Sequence, residues 1–113
     1  MGIEQFNTLI VHGFVDQREP LESIRAQILN TLKKRDLYVE VTEIVETQAN
    51  GWLSFFVFPS GSKQGWKTHD VHLNILEDAL ATAYNYGVTA VLTSYGEKGI
   101  SVTDGTEYKG CES

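Results

Sequence analysis

Asn50-Gly51 stands between two stretches of alternating side chains, and a turn of that type takes positive φ at both central residues. The chain on either side is therefore expected to fold back as an antiparallel hairpin. On its far side, Trp52–Phe58 puts Leu53, Phe55 and Val57 on one face and Trp52, Phe56 and Phe58 on the other. On its near side, residues 37–47 oppose Leu37, Val39, Val41 and Val45 to Tyr38, Glu40, Thr42 and Glu46, with Glu43 breaking the odd series.

The remaining elements fall around this hairpin. Phe6–Val15 alternates with apolar residues on both faces, as a central strand does, and Gly13 within it signals a bulge or a close backbone approach. Pro20 suits the first turn of a helix, and Leu21, Ile24, Ile28, Leu29 and Leu32 continue it as one apolar stripe ending near Lys34. Lys33, Lys34 and Arg35 complement the negative end of that helix dipole.

A second helix follows a loop at 59–69, with Asp70 or Thr68 as its cap, Leu73, Leu76, Leu80, Ala83 and Tyr84 on one face, and Gly87 as its stop. Residues 88–95 and 100–103 read as two more strands. The order β-α-β-β-α-β with an added C-terminal hairpin strand predicts an α+β chain of the ferredoxin-like, split βαβ type, with two helices on one face of an antiparallel or mixed sheet. A single domain over residues 1–113 is expected, with 105–113 a frayed polar tail.

Composition narrows the function classes. The 113 residues carry a net charge of −6, which argues against a nucleic-acid partner, since neutralising many phosphates takes a basic surplus. The longest uninterrupted apolar run is 55–58, so no membrane span is expected, and MGIEQFNT lacks a secretory pattern, which places the chain in a cytoplasm. Cys111 is a lone cysteine, so neither an internal disulfide nor a cysteine metal cluster can form.

No specific catalytic or cofactor motif appears. SGSKQG has neither the spacing of a phosphate loop nor that of a dinucleotide fingerprint, and no G-x-S-x-G elbow surrounds Ser60, Ser62 or Ser94. His69 and His72, at i and i+3 with Asp70 between them, invite a metal reading, but a capping Asp and two surface histidines account for the same letters. No metal and no cofactor are therefore expected, and no residue is assigned a catalytic role.

If the first and third strands lie side by side and parallel, their exits meet at one end. A composite surface of His12, Asp16 and Arg18 with Ser60, Ser62, Lys63, Trp66, Lys67 and His69 would result. Trp66, flanked by Lys63 and Lys67, has the dual character of an interface anchor, and two helix starts at the same end would favour an anion.

The aromatic face of Trp52, Phe56 and Phe58 is expected to be covered by a second copy, as an exposed patch of that kind is adhesive. The resulting expectation is a non-enzymatic protein-binding module, homodimeric and with a protein partner. Inhibitors, immunity factors and mobile-element accessory proteins are of that kind. The alternative is a small-molecule or anion-binding domain at the composite loop surface.

Overall fold

The computed structural model describes residues 4–46, 51–58, 62–63, 67–97 and 99–104, with backbone only for Glu4, Ser62, Lys63, Lys67 and Thr68. Its elements are β1 (Glu4–Phe14), α1 (Arg18–Lys34), β2 (Val45–Glu46), β3 (Trp52–Val57), β4 (Ser62–Lys63), α2 (Lys67–Tyr86), β5 (Thr89–Gly96) and β6 (Gly99–Asp104). A single 3-10 turn, Val15–Gln17, joins β1 to α1.

The strands form one sheet of order β2-β3-β1-β5-β6, every pairing antiparallel, while β4 pairs with the start of β1. An α+β arrangement of two helices on an antiparallel sheet is thus present. Its order carries β6 beyond β5 and a separate β4, so it is not the plain four-strand split βαβ order.

Alternation along the strands sorts the side chains. Leu9, Val11, Leu53, Phe55, Val57, Ala90 and Leu92 point to the helices and are buried with Leu21, Ile24, Ile28 and Leu32 of α1 and Ile75, Leu76, Ala79, Leu80 and Ala83 of α2. Each large side chain so buried contributes on the order of 1.5–3 kcal/mol. Leu37, Val39, Val41 and Ile44 pack at the margin of this core. Gly87 (φ +77) closes α2 with a left-handed residue and turns the chain straight into β5. Gly51 (φ +68) has the positive φ that the expected hairpin needs, while Asn50 lies outside the described residues.

Two expectations change. The segment 37–46 is strand only at Val45–Glu46, with an isolated bridge from Val41 to Val57. The reason is local: Thr42 Oγ1 accepts the Phe56 N–H at 2.9 Å, a bond that a backbone carbonyl would otherwise take. Alternation shifts at Glu43, so that Ile44 turns inward and Val45 outward.

The second correction is larger. The first and third strands are neighbours, but antiparallel, with Leu9 opposite Val57 and Phe14 opposite Trp52. The crossover through α1 brings β2 back parallel to β1. The hairpin then reverses the chain, so β3, lying between them, must oppose both.

Candidate functional site

Antiparallel pairing separates the residues expected to form one surface. His12, Asp16 and Arg18 belong to the end of β1 where Phe14 meets Trp52. Lys63 is paired with Glu4 at the other end, and Lys67 and His69 begin α2 just beyond it. Eight residues of strand, or ~26 Å, separate Glu4 from His12. The composite patch therefore does not exist as a unit. Ser60 and Trp66 lie outside the described residues, and of Ser62, Lys63 and Lys67 only the backbone position is described.

At the first end, Arg18 is tied into ion pairs, Nη1 to Glu22 at 4.0 Å and Nη2 to Glu46 at 3.4 Å, all three side chains being exposed. Arg25 donates through Nε to the Thr42 carbonyl at 2.7 Å and reaches Glu43 at 3.8 Å. These arginines wall a cleft of about 350 Å³ between α1 and residues 43–44, lined also by Ala26, Leu29 and Ile44. Their guanidinium groups are already spent on holding the 42–46 segment to α1. Gln17 makes a similar latch, accepting the Phe14 N–H at 3.0 Å and donating to the Gly87 carbonyl at 3.1 Å. Close packing of Gly13 follows, since a Cβ there would meet Gln17 Oε1 at 2.7 Å.

At the second end the core turns polar. Among the described residues the buried polar side chains are Asn7, His69 and His72, the two histidines each 2% exposed. Surface positions were expected for both histidines. Their place is set by the helix period, because His69 and His72 extend backwards the stripe of Leu76, Ala79, Leu80 and Ala83. His72 lies fourteen residues before Tyr86, ~21 Å along the helix, and Ser94 lies six residues after Val88, ~20 Å along the strand. The antiparallel pair thus brings His72 level with Ser94.

Ser94 donates to Asn7 Oδ1 at 2.5 Å across the β1–β5 ladder, and Asn7 Nδ2 is buried without a hydrogen-bond partner. Burial lowers the pKa of His72 to about 4, with the neighbouring His69 adding to the effect. His72 is therefore held as the neutral ring. Among the described residues no group of three or more His, Cys, Asp and Glu is placed to hold a metal ion.

The face of the sheet away from the helices is the least ordinary surface of the molecule. An antiparallel sheet normally solvates its outer face with polar side chains. Here β1 offers Phe6, Thr8, Ile10, His12 and Phe14, β3 offers Trp52, Ser54 and Phe56, β5 offers Val91 and Tyr95, and β6 offers Ile100 and Val102. Phe56 and Phe58 are half-exposed and Trp52 is partly covered, so the aromatic face expected of these three residues is present.

Its covering of Trp52 comes from β1. Phe14 stacks on the indole with centroids 4.1 Å apart and planes at 19°, and the His12 ring lies 5.1 Å from it, tilted by 38°. A second stack, Phe6 on Tyr95 at 5.4 Å, occupies the other end of the face. Sequence reading placed His12 with the loops and Trp52 with a dimer face. Register joins them, since His12 pairs with Ser54 and Phe14 with Trp52.

No family model matches the chain, and no curated protein matches it. Among solved structures it is similar to a phage SAM lyase in complex with S-methyl-5'-thioadenosine, with a TM-score of 0.52 and 9% sequence identity over 92% of this chain and 90% of that one. At that identity the likeness concerns the fold, and the protein that shares it is an enzyme. This overturns the expectation of a non-enzymatic protein-binding module, which rested on the lack of a motif. No helix among the described residues is long and apolar enough to cross a membrane.

Proposed function

We propose that this chain is an enzyme whose substrate is an adenosine-bearing sulfonium or thioether, held on the open sheet face at His12, Phe14 and Trp52. The carrying observation is the fold shared with a lyase bound to S-methyl-5'-thioadenosine. Within that fold, the β1-α1-β2-β3-α2-β5 course is read as a split βαβ sandwich of the ferredoxin-like kind, extended by β6.

The chemistry of such a ligand suits the platform. A purine needs a flat apolar wall, which the stacked Phe14 and Trp52 rings supply. A sulfonium is a cation without hydrogen-bond donors at sulfur, and the faces of electron-rich rings attract it where a carboxylate would have to be desolvated. A net charge of −6 favours approach of a cation over long range.

Release of S-methyl-5'-thioadenosine from SAM breaks the bond from sulfur to Cγ of the amino-acid chain, with the electron pair passing to sulfur, which leaves as a neutral thioether while a carboxylate oxygen of the same amino-acid chain bonds to Cγ and closes a five-membered lactone. Loss of charge at sulfur is assisted by an environment with little water. His12 is the titratable side chain beside the rings.

The test is to incubate the protein with SAM and follow S-methyl-5'-thioadenosine by chromatography. The reading expects its release, and loss of that activity in Trp52→Ala with the circular dichroism spectrum unchanged. An absence of turnover, together with an absence of calorimetric binding of S-methyl-5'-thioadenosine at millimolar concentration, would overturn it.

A further inference from the structure

We infer that the open sheet face is an interface with a second copy of this chain, centred on the β5–β6 side at Tyr95, Ile100 and Val102 and running across Ile10 and Phe56. It rests on the reading above only in that the covering copy would turn the flat His12–Trp52 platform into an enclosed site. The interface itself stands on separate observations.

The first is the size and character of the patch. Ile100 is 78% exposed and Val102 57%, and both occupy the edge strand, opposite Tyr95 and Thr93 of β5. Phe14, Val45, Phe56 and Ile10 continue the exposed apolar surface to the far edge of the sheet. At ~150–250 Å² for a large side chain, the exposed fractions amount to roughly 650 Å². That exceeds what most monomers leave open in one patch and approaches the ~800 Å² per partner of a standard interface.

The second observation is charge. The chain is acidic overall, yet on this face the described side chains of β1, β3 and β5 carry no Lys, Arg, Asp or Glu; carboxylates stand only at its margins among the described residues, Glu40 beside Phe58 and Asp104 at the end of β6. Two acidic copies can therefore meet across the central strands without opposing like charges. A basic partner would find carboxylates only at the margins, at Glu40 and Asp104. An apolar face of uniform character is also self-complementary, as a two-fold contact requires.

The third concerns the C-terminal residues as an occupant. Residues 105–113 read GTEYKGCES, in which Tyr108 is the one aromatic, so this segment lacks the apolar side chains to cover such a face.

The experiment is light scattering behind size exclusion on the full chain and on the Ile100→Asp/Val102→Asp variant. The expected mass of the full chain is twice 12.6 kDa or a higher multiple, falling to 12.6 kDa in the variant with its circular dichroism unchanged. A full chain that runs as a monomer at 100 µM, or a variant of unchanged mass, overturns the inference. Should the double variant fail to fold, Ile100→Asp alone provides the same readout, and the monomer result for the full chain remains decisive. Monomeric protein that sediments with phosphatidylcholine vesicles would assign the face to a lipid surface instead and would equally overturn it. Self-association without binding of S-methyl-5'-thioadenosine would leave this interface standing and remove the proposed function.

Discussion

The two faces of this sheet are built from the same kinds of residue and have opposite fates. Phe55 and Phe56 are neighbours in β3, one fully buried under the helices and the other 44% exposed. Leu9 and Ile10 in β1 repeat the contrast. On one side, helices supply partners for every apolar side chain, and the face is a core. On the other, nothing among the described residues supplies them, and aromatic stacking within the sheet is the compensation. An apolar face that folding does not use is available for something else, and the proposed use is binding.

The contrast can be tested directly by truncation. Phe55→Ala should cost ~3–5 kcal/mol, the usual effect of emptying a buried aromatic site, whereas Phe56→Ala should cost at most about 1 kcal/mol in the monomer. Denaturant titrations of both variants decide this, and equal losses would mean that the outer face contributes to the fold as the inner one does.

Acid should expose the polar end of the inner face. Between pH 6.5 and about 4 the unfolded chain protonates His72 while the folded chain does not. Stability is therefore full above 6.5 and falls as pH drops towards 4, by ~3 kcal/mol over that window. Measured unfolding free energies at pH 7, 5.5 and 4 should show the decline, and His72→Gln should flatten it. A smaller loss is expected from Ser94→Ala, which strips Asn7 Oδ1 of its donor in a site where Nδ2 already lacks a partner. That change should cost ~1–3 kcal/mol, again read by chemical unfolding. Smallest is Glu22→Ala, which removes one exposed partner of Arg18 at 4.0 Å and should move stability by under ~0.5 kcal/mol. A larger effect would mean that the cleft along α1 is more than a latch.

Much of this architecture was legible in the letters. The alternation of β3, the stripe of α1, the stop at Gly87 and the close approach at Gly13 all follow from local periodicity and sterics. Strand direction was not local. It followed from counting reversals through the hairpin, and the assumption of parallel neighbours put His12 and His69 together when they lie at opposite ends.

The buried histidines were also within reach. Extending the α2 stripe backwards from Leu76 passes through His72 and His69, but their polarity suggested surface. The orphaned Nδ2 of Asn7 had no such signal, since an Asn within an alternating strand reads as an edge residue. The His12–Trp52 pairing depends on the register of β1 against β3, which the hairpin turn alone does not specify.

The most direct test of the claim that the open face is the working face is a titration of isotopically labelled protein with S-methyl-5'-thioadenosine, followed by amide and side-chain chemical shifts. The account predicts the largest changes at His12, Phe14, Ser54 and the Trp52 indole, with β6 following. Changes confined to Arg18, Arg25 and Glu43 along α1, or to His69 and His72 at the start of α2, would contradict it.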